Sequence, residues 1–277
     1  RQTGFDEEEF NLLRTAKNKS NTLAEIERRA MNAVKGLFEA DYRAFQKQFN
    51  LNLPGKYSIY LCPCLTPTVI WDTRFGQSID PTRSVGFAIY TNRANSADPF
   101  VINHLAVLRS FGYAPPFLSE GWAGYTSFGL YDMKRFVRDG TALPLDSLLD
   151  TYRYLKTDAN LADRSAATFV KYLIDTYGVD KFRRLYTAAD DLNLRQQLSE
   201  VYEMSVDDLD RGWRQFVDTS QIRFVDFAQQ SERAEAMNSF GNMAAYARSM
   251  QDVSPGRIDS MYSLSVLKRA LFFDGDY

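Results

Sequence analysis

The sequence predicts an α+β fold: a small mixed sheet packed on helices, a mostly helical second half, and further helices on both flanks. Three observations predict it. Apolar residues alternate in two-residue steps over short runs between Lys56 and Thr91, then recur at three- and four-residue steps from about Phe100 onward. The strand-like runs are few, and the helical runs that follow them are many. With 277 residues, 45% of them hydrophobic, the chain has enough apolar side chains for one sizeable core.

The elements follow in order. Between Glu7 and Phe49, residues such as Leu23, Ile26, Ala30, Val34, Phe38, Tyr42 and Phe45 recur at helical spacing. Asn50 to Gly55 ends that run, with Pro54-Gly55 as punctuation. Lys56–Leu61 alternates and reads as a strand, Val69–Trp71 as a second short one, and Ser84–Thr91 as a third. Helical spacing begins at Phe100 and continues through Arg109. Pro115-Pro116 then turns the chain before a helix over Leu118–Tyr125, with Ser119 at its expected N-cap and Gly121 and Gly124 permitting close packing. A short helix is expected over Leu143–Leu149. Ser165–Tyr177 is strongly amphipathic and is stopped by Gly178. Asp180–Tyr186, Leu192–Tyr202 and Ser205–Val217 continue the helical run, the last opened by a Ser205/Asp208 capping pair. Beyond Phe227, two segments (Ala234–Ala247 and Ile258–Phe272) are separated by Ser254-Pro255-Gly256 and read as a helical hairpin of tetratricopeptide-like type. The expected organisation is therefore a helical segment over 1–53, a central α+β domain over 54–227, and the hairpin over 228–277.

Charge narrows the function classes. The formal net charge of -2 argues against a duplex nucleic-acid binder, which needs a basic excess to neutralise phosphates. No apolar run approaches the ~20 residues that span a bilayer. The chain opens on Arg1, which suggests the ordered or processed part of a longer protein, one that could associate with a membrane through a terminus outside it. Cys62 and Cys64 flank Pro63. Side chains two apart share a strand face, but their Cα atoms sit near the limit for a disulfide, and a metal site would need further ligands. Two small half-buried thiols is the simplest reading.

The segment Pro115–Tyr125 (PPFLSEGWAGY) carries the chemistry-bearing pattern. It resembles the Pro-x-Trp-Leu-x-Glu-Gly-x-Ala-Glu-Tyr segment of the gluzincin-like peptidase MA family of zinc metallopeptidases. Val101–Arg109 (VINHLAVLR) occupies the place of that family's zinc helix, and Ala167–Gly178, Lys181–Tyr186 and Met204–Trp213 match its helical half. The resemblance spans roughly the middle 60% of the chain, the size of an ordinary domain. It implies a gluzincin catalytic-domain fold, with Glu120 in the place of the third zinc ligand.

Zinc hydrolysis needs His-Glu-x-x-His, two imidazoles one helical turn apart with an intervening Glu that activates water. His104 is the single histidine of the chain. With His104 as first ligand, Leu105 stands for the general base and Leu108 for the second imidazole. Shifting the register by one places Asn103, His104 and Val107 there instead. In either register a ligand and the base are missing, so the expectation is a relic of a zinc site at His104 and Glu120, with no metal, no cofactor and no catalytic residues. His104 would then hydrogen-bond to Glu120 or a backbone carbonyl. Glu120 as a functional acid would need a second carboxylate, for which Asp98, Asp132 and Asp163 are available in sequence. Tyr113, Trp122 and Tyr125 are candidate cleft-lining residues.

The functional expectation is a pseudoenzyme acting as a protein-binding or structural subunit of a larger assembly, with protein partners and no nucleic acid. By resemblance, Ser84–Thr91 would edge the old cleft and could receive an extended peptide. The alternatives are a peptide-binding module or a hydrolase of different chemistry using Glu120. The resemblance also implies an extracytoplasmic setting, in the periplasm or cell envelope.

Overall fold

The structure, a computed structural model, describes residues 20–51, 57–62, 77–80, 84–89, 99–126, 130–220 and 272–275. Helix α1 (Ser20–Phe49) opens the fold. Val34, Phe38, Tyr42, Phe45 and Phe49 form its buried stripe, at the three- and four-residue steps expected of a helix that buries one face. It stops at Asn50, which adopts φ 47°, a left-handed conformation that asparagine tolerates.

Strands β1 (Tyr57–Cys62), β2 (Gln77–Asp80) and β3 (Val85–Ile89) follow, and β4 (Phe272–Gly275) returns much later to the same sheet. The order is β2-β3-β1-β4. β1 and β3 are parallel, with Ile59 opposite Gly86; β2 joins β3 and β4 joins β1 antiparallel. The sheet is therefore mixed, and the fold is α+β. Tyr57 and Ile59 are buried on one face, while Ser58 and Tyr60, which alternate with them, are only half-buried.

Two expectations about the sheet are corrected. Within Ser84–Thr91, expected at an edge, the strand β3 (Val85–Ile89) is an inner one, paired on both sides, by β1 and by β2. The strand beyond it, Gln77–Asp80, was not foreseen, since its mixed polar sequence has little strand character. Phe272, expected on a helix, begins β4. The side of β1 away from β3 presents backbone donors and acceptors that need partners, and Phe272–Gly275 pairs with them. The remainder of the expected hairpin, Val69–Trp71, Cys64 and the Cys62 side chain lie outside the described residues.

The helical half comprises α2 (Phe100–Phe111), α3 (Pro116–Ala123) with a 3-10 turn over Gly124–Thr126, and α4 (Leu130–Arg138). Then come α5 (Leu145–Leu148), α6 (Thr151–Lys156), α7 (Ala159–Tyr177), α8 (Val179–Ala188), α9 (Leu194–Tyr202) and α10 (Val206–Thr219). Helix α7 is the central element. Its Ala166, Ala167, Phe169, Val170 and Leu173 are buried, and α3, α4, α8 and α10 pack around it. Caps set several boundaries. Asp158 and Ser205 accept the Leu161 and Asp208 backbone N–H groups at the starts of α7 and α10, and Gly178, at φ 88°, ends α7. Ser119 does not cap α3; it lies within the helix, where Pro115 and Pro116 already fix the entry, and its hydroxyl faces the Pro116 carbonyl at 3.4 Å. No helix among the described residues is long and apolar enough to cross a membrane.

Candidate functional site

The site is built where α2 and α3 meet. Helix α2 is apolar along most of its length, and Val101 to Val107 are all buried. Such a helix has to be enclosed. The sheet takes one side: a Cβ built on Gly86 would fall 2.8 Å from Val101 Cγ2 and 3.1 Å from Leu105 Cδ1, so β3 and α2 approach at a distance only glycine permits. Helix α3 takes another side, and is itself drawn onto α7. A Cβ on Gly121 would lie 2.7 Å from the Ala166 carbonyl oxygen, and one on Gly124 2.7 Å from the Ala167 Cβ. The two glycines of the Glu-Gly-Trp-Ala-Gly stretch thus bring α3 and its 3-10 extension against α7, which leaves Glu120 directed elsewhere.

Glu120 meets His104. Imidazole Nδ1 lies 3.5 Å from carboxylate Oε2, with 10% and 17% of the two side chains exposed. Burial pushes the imidazole pKa down to about 4, so the ring is neutral at pH 7. At 3.5 Å this is a close polar contact, longer than a well-formed hydrogen bond. Phe100, one turn before His104, closes over the ring edge at 5.5 Å between centroids.

Asn103, the neighbouring polar residue of α2, figured in the sequence only as a position of the shifted motif register, and its bonding role was not foreseen. Its side-chain amide donates to the Ala123 carbonyl at 3.1 Å and to the Thr126 hydroxyl at 3.0 Å. It thereby ties α2 to the end of α3, where helix carbonyls need partners. A polar residue inside Phe-Val-Ile-Asn-His-Leu-Ala-Val was the one signal pointing to it. Tyr186 on α8 was also unforeseen. Its hydroxyl donates to the Gly112 carbonyl at 3.1 Å, and its pKa is raised by burial first and then by the negative charge of Glu120 and the neighbouring Tyr113.

The two leucines differ. Leu105 is fully buried against β3, inside the helix–sheet core. Leu108, one turn beyond His104, is half-buried. Of the three aromatics expected to line a cleft, two belong to the core. Trp122 is fully buried among Phe49, Phe111, Phe182 and Tyr186, with centroid separations of 4.8–5.6 Å. An indole with so many ring neighbours contributes apolar burial and edge-to-face contacts to the core. Tyr125 is 7% exposed, donates its hydroxyl to Asp175 and lies under the Lys171 ammonium, 4.2 Å from the ring centroid. Tyr113 alone reaches solvent, at 64% exposure.

The residues do not fit a catalytic zinc. Two ligands of a tetrahedral zinc, bound at ~2.0–2.1 Å, stand ~3.3 Å apart, so the His104–Glu120 spacing suits a pair. A third protein ligand is required, and the next turn of α2 offers the alkyl group of Leu108. Among the described residues, no three His, Cys, Asp or Glu side chains are grouped so as to hold a metal. Of the carboxylates considered as partners of Glu120, Asp163 accepts from the Tyr154 hydroxyl at 2.5 Å on α7. Asp98 and the Asp132 side chain lie outside the described residues. Comparisons with protein-family models, with curated proteins and with solved structures give no match.

Proposed function

We propose that the chain is a catalytically inactive, metallopeptidase-like module serving as a protein-binding or structural subunit of a larger envelope assembly. The observation that carries this reading is the convergence of His104 and Glu120 from two adjoining helices, with leucine at the two remaining positions of the motif. A zinc hydrolase needs a Lewis acid with an open coordination position and a base for the attacking water. Leu108 offers no nitrogen to the metal. Leu105 offers no carboxylate to the water and faces the sheet. The glycines beside Glu120 set its helix against α7, and leucine stands at the two positions where a hydrolase of that kind needs a ligand and a base. A module of that resemblance without those groups supports a role in binding or architecture. The envelope setting rests on the sequence resemblance.

The test is metal analysis of the purified protein, followed by thermal unfolding and peptide hydrolysis with added zinc and with chelator. The expected result is no stoichiometric zinc, no zinc-dependent rise in Tm and no chelator-sensitive cleavage. Stoichiometric zinc that is lost in His104→Ala and Glu120→Ala, together with cleavage, would refute the reading.

A further inference from the structure

We propose that strand β4 is exchanged between two copies of this chain, the Phe272–Gly275 segment of each pairing on the outer edge of β1 in the other. This goes beyond the relic reading and does not depend on it.

Both halves of the contact are in the structure. β4 runs antiparallel to β1, with Phe272 opposite Tyr60, Phe273 opposite Ile59, Asp274 opposite Ser58 and Gly275 opposite Tyr57. β3 takes the other side of β1, so among the described residues β4 alone supplies the backbone partners that the outer edge needs. After β1, the main neighbour of β4 is α1, and among the described residues it meets no helix from α2 to α10 to a comparable extent. The seat of β4 therefore belongs to the segment Ser20–Cys62, whereas the strand itself follows the whole helical half in the chain. No other strand pair of this sheet joins residues so far apart in sequence. β2, by contrast, precedes its partner β3 by a few residues and stays with its own copy.

The seated strand identifies the occupant. A second copy carries the same edge and the same strand, so its β4 fits this β1 in the register already present. Exchange keeps the pairing of β4 on β1 and its contact with α1, and gives up only the covalent tether through 220–271. Release of β4 breaks one short ladder and leaves β1 held by β3. Carried out reciprocally, the exchange seats both strands, leaves neither β1 edge open and closes on a two-fold axis. Concentration decides between the two states. A strand on a flexible tether competes at an effective concentration of ~1 mM, which sets the scale at which pairing with a second copy becomes comparable.

Ser58 and Asp274 are register partners, so thiols placed there report the pairing. Two whole chains are prepared, one Ser58→Cys and one Asp274→Cys, each also carrying Cys62→Ser and Cys64→Ser. A link between them can form only across copies. They are unfolded in urea, mixed, and refolded together at ~10 µM or ~0.5 mM, on either side of most of that concentration scale. Both samples are then brought to the lower concentration and joined at once with a short bis-maleimide, with circular dichroism verifying folding. The expected result is a linked heterodimer at least tenfold more abundant after refolding at the higher concentration. It should also exceed tenfold the yield of a Ser58→Cys and Arg211→Cys mixture, Arg211 being exposed on α10. Phe272→Pro with Phe273→Pro in the Asp274→Cys chain removes an N–H that faces β1, because alternate residues of an antiparallel strand face the partner. It should lower the yield at least tenfold. A yield no higher than the Arg211→Cys control, or one indifferent to the prolines, overturns the proposal. Linkage of the Ser58→Cys chain to a synthetic Leu271–Asp276 peptide carrying Asp274→Cys, without linkage between chains, assigns the edge to foreign strands and overturns it too.

Discussion

The Nδ1 atom of His104 and the Oε2 atom of Glu120 lie 3.5 Å apart, although sixteen positions and a double-proline turn separate the two residues in sequence. The contact exists because two unrelated packing demands are met together. Helix α2 must bury its apolar length, and α3 must lie against α7 at glycine distance. The polar pair is what remains at the seam.

The first prediction concerns pH. With the His104 pKa near 4 in the folded state and about 6.5 in the unfolded chain, the unfolded state binds more protons between those values. The histidine contribution is therefore fully present above about pH 6.5 and is lost as pH falls toward 4, by about 3 kcal/mol in all. Urea unfolding from pH 4.5 to 7.5 should show this slope in the native chain and a flatter one in His104→Gln. Because there is one histidine, its ring signals in an NMR titration report the pKa directly; a value near 6.5 would reject the burial argument.

The second prediction separates the two leucines. Leu108→His places an imidazole one turn from His104 and completes a three-ligand set with Glu120, so zinc affinity should appear at micromolar metal or tighter. Leu105→Glu puts a carboxylate into the helix–sheet core and should cost about 3 kcal/mol or more. Calorimetric zinc titration of the first and urea unfolding of the second check both. A Leu108→His protein that ignores zinc would mean that the seam is not arranged as a metal site.

For Gly121→Ala, the added Cβ would sit 2.7 Å from a backbone oxygen of α7 and 2.6 Å from Val170 Cγ2. The helices must separate, which should cost about 2–3 kcal/mol. The measurement is the shift in urea midpoint; a stabilised variant would show that α3 and α7 do not cross at this residue.

Asn103→Ala removes two hydrogen bonds at the α2–α3 junction and leaves the Ala123 carbonyl short of a donor. A loss of about 1–3 kcal/mol is expected. Hydrogen exchange should accelerate first in the 3-10 turn at Gly124–Thr126, where the amide was anchored.

How much of this could be read from the sequence depended on whether the signal was local. The helix ending at Gly178, the cap at Ser205 and the strand at Tyr57 each carry their own short-range pattern, and each forms. Gly121 and Gly124 were legible as close-packing sites because a glycine inside a helix needs such a reason. Gln77–Asp80 and Phe272–Gly275 were not legible, because each forms by pairing with a strand that is already present. Short α4 and α6 were missed for a similar reason. Tertiary contacts hold them, such as Met133 buried against α7 and Tyr154 bonded to Asp163. At the site, His104 and Glu120 were identifiable as residue types, but the inward turn of Trp122 and Tyr125 is decided by neighbours on α1 and α8 that no spacing rule reports.

The strand order has a consequence for biosynthesis. As the ribosome releases the chain, β1, β2 and β3 emerge early, and the helices that bury one of their faces follow. The outer partner of β1 is made only after the whole helical half. Until then β1 presents an open row of amides to whatever strand it meets, its own kind in a neighbouring nascent chain included. Folding in the cell should therefore pass through a three-stranded stage whose yield depends on shielding that row. Slowed translation before Phe272 should raise aggregation more than the same pause placed after Gly275.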